Sequence, residues 1–387
     1  MIIHFDQEKQ AWYTESQEEG LTLGTLPLLP AGEKPLTEGT VFLTGMRGNE
    51  AGPVIAVLTG GHPSKPFSGD ELLYRTLHEE ACAQGGVVAV VPISDISGID
   101  SMTGYVHLEN GGWTPVPIGS PHVIYNRVPA RKVEKSEAFL TIRQAARDAE
   151  IPFFNEAFLT KLIIDKTLRG DPELAEFLPC TEKLESREQF MRWAKSRDAF
   201  LLKISSGSRG RGIYLIKKSA SGFLSLQSRK GTLAPVSAKG CWRFIESAIS
   251  SRTFLLQDYI ALKQHQGRKF DFRLLLHQNQ NGWMCSGVGI RQAGQGQVTT
   301  HSMYGGDLLT PENTDIDPAP VIELALRAAS LFSPSFTELS MDIGCDEHNR
   351  LWLFDINSKP MIFDEHAIRL KGASNLLSIC HEKAGFA

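Results

Sequence analysis

No stretch of the 387-residue chain is apolar and uncharged for anything near the roughly 18 residues that cross a bilayer, so no membrane partner is expected. The start, Met1-Ile2-Ile3-His4-Phe5-Asp6, has no basic segment leading into an apolar core. No secretory leader is read there, and a cytoplasmic location is expected. Neither sign of charge dominates: 40 Lys and Arg stand against 44 Asp and Glu, for a formal charge of −4. That balance argues against a dedicated nucleic-acid binder. The six cysteines, Cys82, Cys180, Cys241, Cys285, Cys345 and Cys380, are scattered and form no C-x-x-C pair. Reduced core thiols are expected rather than a disulfide framework or a zinc site. Repeats, low-complexity tracts and a convincing nucleophile–base triad are absent as well.

What is present suits a globular chain. The hydrophobic fraction is 42%, with 20 Phe and 6 Trp, enough for two or three sizeable cores at about 150 residues per domain. Residues 1–50 are broken by Gly and Pro and read as a small β-rich segment. From residue 51 the pattern becomes strand, helix, strand: Val54 to Leu58, a helix capped by Ser68 with Glu71 and running to about Gln84, then Val87 to Val91. A strand over His122 to Tyr125 and a helix over Ser136 to Ala149 extend this αβ layer to about residue 154. Asn155 reads as the cap of a helix through about Leu168, and Ser186 with Gln189 as a capping box. Beyond these the chain is mostly strands, with a helix near Val321 to Phe332 and a helical end from His366.

Two stretches carry chemistry. Lys203-Ile204-Ser205-Ser206-Gly207-Ser208-Arg209-Gly210-Arg211-Gly212 is a glycine-rich, basic strand-to-strand turn. Its backbone N–H groups suit phosphate oxygens, although G-x-x-x-x-G-K-[ST] and G-x-G-x-x-G are both missing. By itself it reads equally as a basic hairpin. The second stretch is a hairpin of Leu339 to Gly344 and Leu351 to Asn357. If Met341 and Ile343 share a core with Trp352, Phe354 and Ile356, Asp342 lies beside Asp355 and Asn357. Two carboxylates and an amide oxygen in apolar strands suit a hard divalent cation better than a solvated face. Asp271 and Arg273 share a strand face, and Arg291 ends the next strand; taken alone these read as ordinary ion pairs.

In this order the pieces resemble the ATP-grasp superfamily, and more narrowly its YheC/YheD-type, spore-coat-associated family. The matching stretches run from Phe154-Asn155-Glu156 through Gln257-Asp258-Tyr259-Ile260, Phe270-Asp271-Phe272-Arg273 and Gly289-Ile290-Arg291 to Phe354-Asp355-Ile356-Asn357. The resemblance implies an αβ pre-ATP-grasp domain over 51–154. It is followed over 155–387 by an ATP-grasp fold of mostly antiparallel sheets, whose two lobes meet near residue 258. It implies ATP and Mg²⁺ as cofactors. Lys161, Lys203 and the loop with Ser206, Gly207, Ser208, Gly210 and Gly212 would meet the nucleotide phosphates. Gln257, Asp258, Tyr259 and Ile260 would meet adenine. Asp342, Asp355 and Asn357 would hold the metal, and Arg273 and Arg291 would face the reacting phosphoryl and acyl groups. The implied reaction joins a small-molecule or peptide carboxylate to an amine through an acyl phosphate. The alternatives are a spore-envelope or coat-associated ATP-binding protein with weak or no catalysis, and a small-molecule or peptide kinase on the same fold. Departures are Lys359, where relatives carry a small residue, His301, where they tend to carry Asn, and the basic Arg209 and Arg211. Asn126, Arg127, His62 and Lys65 are candidate acceptor contacts from the first unit.

Overall fold

The computed structural model describes residues 1–31, 40–108, 112–205, 207, 212–228, 231–249, 252–300 and 305–386. The first fifty residues contribute two small sheets of short strands, among them Ile2–Asp6, Ala11–Thr14 and Thr40–Leu43. Phe5, Trp12 and Phe42 form a ring cluster there, with centroids 5.0 and 5.3 Å apart. This cluster packs on one face of the next layer.

That layer is a six-stranded sheet. Its strands are β1 (Val54–Thr59), β2 (Val87–Pro92), β3 (Met102–His107), β4 (Trp113–Gly119), β5 (Val123–Asn126) and β6 (Phe153–Phe154). Their spatial order is β4-β3-β2-β1-β5-β6. β2 and β5 both run parallel to β1, on opposite sides of it. Every residue of β1 and β2 is buried, as expected of parallel strands covered on both faces. Helix α1 (Glu71–Gln84) covers one face and α2 (Glu137–Asp148) the other.

The remaining chain opens with α3 (Lys161–Arg169) and then builds two antiparallel sheets. The first includes β7 (Ala199–Ile204), β8 (Ile213–Lys218) and β9 (Phe254–Asp258), with β7 paired to both neighbours. The second contains β10 (Arg268–Asn279), β11 (Gly282–Gln292), β12 (Asp307–Leu309), β13 (Glu338–Cys345) and β14 (Leu351–Asn357), in the order β12-β11-β10-β13-β14. Along β10, Phe270, Phe272, Leu274 and Leu276 enter a core under α4 (Pro318–Ser330), while Asp271, Arg273 and Leu275 face the other way. There the C-terminal helix α5 (His366–Ala384) packs on β10 and β11 and reaches across to α1. Its Leu376 and Leu377 share a core with Tyr74 and Leu77 of α1, so α5 ties the αβ layer to the second antiparallel sheet.

Three local readings are corrected. Ser68 does not cap α1: its hydroxyl donates to the Gly60 carbonyl, and Asp70 is the cap, accepting from Leu73 N. Gly69, at φ +112°, turns the chain between the two. Asn155 caps no helix. It is fully buried and donates to the Glu338 and Ser358 carbonyls, while Thr160 caps α3. In the β13–β14 hairpin, Leu353, not Trp352 or Phe354, joins Met341, Ile343 and Ile356 in the core. A bulge between Asp342 and Ile343 shifts the register, so that Asp342 pairs with Asp355 but Ile343 pairs with Leu353. One extra residue on β14 flips the facing of everything on one side of it.

Candidate nucleotide and ligand cavity

A cavity of about 780 Å³ lies where the αβ layer meets the two antiparallel sheets. That is within the usual size of a small-molecule site. Among the residues expected from sequence, Lys161, Lys203, Gly207, Tyr259, Ile260, Arg273, Arg291, Asp342, Asp355 and Asn357 line it. Gln257 lines a small annex beside it, shared with Lys161, Lys203 and Asp355.

Each charged group is held by the strand or turn that bears it. Lys161 opens α3, where the Thr160 hydroxyl caps the helix, and its ammonium donates to Asp355 Oδ2 at 2.6 Å. Lys203, on β7, is 8% exposed and donates to Gln257 Oε1 across the β7–β9 ladder. Gln257 in turn donates to the Thr181 hydroxyl at 3.0 Å. Burial, reinforced by the neighbouring Lys161 charge, pulls the Lys203 ammonium down to about 7. Lys269 is pulled down to about 8 by burial.

On the second sheet, Asp342 and Asp355 are direct partners, and Arg273 faces Asp342 from the next strand at 3.6 Å. Asp271 pairs with Arg291 in the β10–β11 ladder and accepts from the Thr300 hydroxyl at 2.5 Å. Burial, then the charge of Asp342, raises the Asp271 carboxyl to about 7. Arg273 and Arg291 lie 5.7 and 5.8 Å from the Phe363 ring. They are 2% and 5% exposed, and among the described residues the Nε of each has no hydrogen-bond partner. Two buried guanidinium groups that line a cavity suit an anion with several oxygens.

Asp342, Asp355 and Asn357 present hard oxygen donors to the same space. Among the described residues no cluster of three His, Cys, Asp or Glu makes a self-sufficient metal cage. This donor set fits magnesium, which is commonly held by one or two carboxylates with phosphate oxygens and water completing the shell.

Other expected residues fall elsewhere. Asp258 is turned away and accepts from Arg197 Nε at 2.5 Å. Gly212 does not line the cavity; it stands at φ +73°, where a Cβ would lie 2.3 Å from Ile204 Cδ1. Ser206, Ser208, Arg209, Gly210, Arg211 and His301 lie outside the described residues. His62 and Lys65 are exposed and away from the cavity, and Asn126 is buried, donating to the Asn155 carbonyl at 2.9 Å. Arg127 does line the cavity, fixed by the Pro360 carbonyl at 2.6 Å and Glu338 at 3.4 Å. Lys359 lines it too, anchored by Glu134 at 2.5 Å and by Asn126 Oδ1 and the Val128 carbonyl, both at 2.9 Å. Its amine is engaged in holding the end of β14 to the αβ layer. Lys269, Thr300, Arg131, Asp70 and Glu71 also line it, although none was expected there from sequence. For Asp70 and Glu71 a signal existed: they follow the first parallel strand, where α/β sheets bind ligands.

The comparisons agree with this architecture. The family model described as YheC/D like ATP-grasp matches residues 150–381. The endospore coat-associated protein YheD of Bacillus subtilis (strain 168) is 28% identical over 333 residues, covering 80% of this chain and 73% of that one. Two solved structures share the fold. D-alanyl-alanine synthetase A from Vibrio cholerae has a TM-score of 0.52 at 11% identity, over 87% of this chain and 99% of that one. The ATP-grasp ligase PsnB, complexed with a minimal precursor, has a TM-score of 0.50 at 14% identity, over 84% of this chain and 99% of that one. An αβ layer followed by two mostly antiparallel sheets, with a cleft of lysines, arginines and aspartates between them, is thus an ATP-grasp architecture, and the chain belongs to the YheC/D-like ATP-grasp family.

Proposed function

We propose that this protein is an ATP- and Mg²⁺-dependent carboxylate–amine ligase. The observation that carries the reading is the single cavity in which Lys161, Lys203, Arg273 and Arg291 converge with Asp342, Asp355 and Asn357. In this reading residues 51–154 are the pre-ATP-grasp unit, 155–387 the two-lobed grasp unit divided near 258, and 1–50 a β-rich lead-in. Lys161 and Lys203 meet the nucleotide phosphates, with Gly207 in the loop that covers them. Gln257 to Ile260 carry adenine, of which Asp258 contributes only backbone, since its side chain is committed to Arg197. Asp342, Asp355 and Asn357 would hold the metal, which would supply charge neutralisation at the phosphates.

The chemistry asks two anions to meet. A substrate carboxylate oxygen bonds to the γ-phosphorus of ATP and ADP leaves. An amine nitrogen then bonds to the acyl carbon, phosphate leaves, and the nitrogen gives up its proton. Arg273 and Arg291, buried and lining the cavity, stabilise the oxygens that gather negative charge in both steps. A fixed, desolvated guanidinium does this better than water, because it needs no reorganisation as charge develops.

The acyl substrate in this reading is a small-molecule or peptide carboxylate. The endospore-coat name of the Bacillus relative supports association with the spore coat. The test is product analysis. Incubation with Mg·ATP, candidate carboxylates and an amine should yield ADP, phosphate and a new amide in equal amounts. A phosphorylated acceptor in place of the amide would make the protein a kinase. ATP binding without any turnover would make it a coat-associated nucleotide binder.

A further inference from the structure

Asn357 ends β14, and each of the three residues after it is anchored from outside the second antiparallel sheet. The Ser358 hydroxyl donates to the Ala157 carbonyl at 2.7 Å and accepts from Leu159 N at 3.1 Å, both in the segment that leads to α3. Lys359 donates to Glu134, to Asn126 Oδ1 and to the Val128 carbonyl. The Pro360 carbonyl accepts from Arg127 Nη2 at 2.6 Å. Asn126 is the last residue of β5, and Arg127 and Val128 follow it, so one strand end of the αβ layer grips the turn behind Asp355 and Asn357.

Lys359 lines the cavity, yet its charge is already used. An ammonium has three N–H groups, and this one has three acceptors at 2.9 Å or less. It also sits 4.3 Å from the centre of the Phe158 ring. It has no N–H left to offer a phosphate or carboxylate oxygen. Glu134 stands behind it and is not part of the cavity lining. Both side chains of the pair are buried. Besides Lys359, the Glu134 carboxylate accepts from Asn126 Nδ2 at 3.1 Å and from Phe158 N at 3.0 Å. Phe158 lies just before Lys161, whose ammonium meets Asp355. A single carboxylate of the αβ layer thus fixes two segments that reach the proposed metal donors, the approach to α3 and the turn after β14.

We propose that Glu134 and Lys359 are positioning residues of the metal site: through this buried ion pair the αβ layer sets where Asp355 and Asn357 present their oxygens. This rests on the ligase reading, in which those residues and Asp342 hold magnesium. Magnesium demands near-ideal octahedral geometry at about 2.0–2.1 Å, so a donor at a strand end serves it only where the backbone beyond is held. The pair acts through the backbone of the turn and touches neither the metal nor the nucleotide. Removing a partner that stands behind a metal donor typically costs about 10- to 100-fold in metal affinity.

The experiment titrates the full-length protein with ATP in a calorimeter, once with excess Mg²⁺ and once with a chelator. The ratio of the two affinities is the magnesium enhancement. The variants are Glu134→Gln and the double variant Glu134→Gln, Lys359→Met. The double variant removes both charges together, so neither is left buried and uncompensated, and its melting temperature verifies the fold. In each variant the enhancement should fall about ten-fold or more, while affinity in chelator stays within about two-fold of wild type. An ion pair that only stabilises the fold would move the melting temperature and leave the enhancement untouched; that result in a folded variant would overturn the inference. An equal loss of affinity with and without Mg²⁺ would overturn it as well, and would make Lys359 a direct phosphate contact. Wild-type protein that binds ATP equally well with and without Mg²⁺ would instead remove the magnesium reading of Asp342, Asp355 and Asn357, and the inference with it.

Discussion

The ammonium of Lys161 stands 2.6 Å from Asp355 Oδ2, joining the first turn of α3 to β14. A protein-borne cation thus occupies one of the two carboxylates proposed for magnesium. Both partners are partly exposed, 17% and 26%, so the pair itself contributes at most about 1 kcal/mol to stability. Asp355→Asn is therefore expected to leave the melting temperature within a few degrees of wild type. It should also cut Mg²⁺-dependent ATP affinity at least ten-fold, by removing a hard anionic ligand. Calorimetric titrations with and without magnesium measure this, and unaltered magnesium dependence would make the hairpin purely structural.

Lys203 predicts a proton signature. Its folded value of about 7 lies below that of an unfolded lysine, so between about 7 and 10 the folded protein binds fewer protons than the unfolded chain. This group accordingly makes the ligand-free protein more stable as pH rises through that window. Nucleotide phosphates favour the charged lysine, so ATP binding at pH 8 should be accompanied by proton uptake. Calorimetry in buffers of different ionisation enthalpy reads that uptake directly. Lys203→Met should reduce it, leaving at most the share of Lys269, and weaken binding; uptake unchanged in the variant would assign the proton elsewhere.

Arg291 separates chemistry from binding. In the proposed ligase its charge would face oxygens that become more negative in the transition state than in the ground state, so its contribution would belong mainly to the rate. Arg291→Met retains an apolar stem and should lower substrate-dependent ADP release by about a hundred- to a thousand-fold. ATP affinity should change little. Loss of ATP binding with normal turnover at saturating ATP would make Arg291 a ground-state phosphate clamp.

Beneath the cavity, Glu338 accepts from the Tyr125 hydroxyl at 2.6 Å and faces Arg127 at 3.4 Å and His277 at 3.4 Å, and all four side chains are buried. This joins β5 of the αβ layer to β10 and β13. Glu338→Leu leaves the Arg127 guanidinium buried with an uncompensated charge and should cost about 3–5 kcal/mol in denaturant unfolding. Tyr125→Phe removes one hydrogen bond to a charged group and should cost about 2 kcal/mol. Comparable small effects of both would show that water reaches the cluster.

Local physics made much of this protein legible from its residues. The all-apolar runs of β1 and β2 announce parallel strands covered on two faces. Ser136 and Ser186 cap the helices that their positions indicate, because a side-chain oxygen beside a free backbone N–H acts within a few residues. The period of two along β10 put Asp271 and Arg273 on one face, and the facing of Met341 and Ile356 set Asp342 beside Asp355. Tertiary structure alone decided the rest. The bulge that sends Leu353 inward depends on the partner strand, Asn155 was drawn from a helix cap into carbonyls of β13 and the turn after β14, and Lys359 was claimed by Glu134 of the αβ layer. Asp70 and Glu71 reached the cavity only because β1 and β5 run side by side there. Each of these outcomes turns on burial and charge compensation between segments far apart in the chain, which no local pattern encodes.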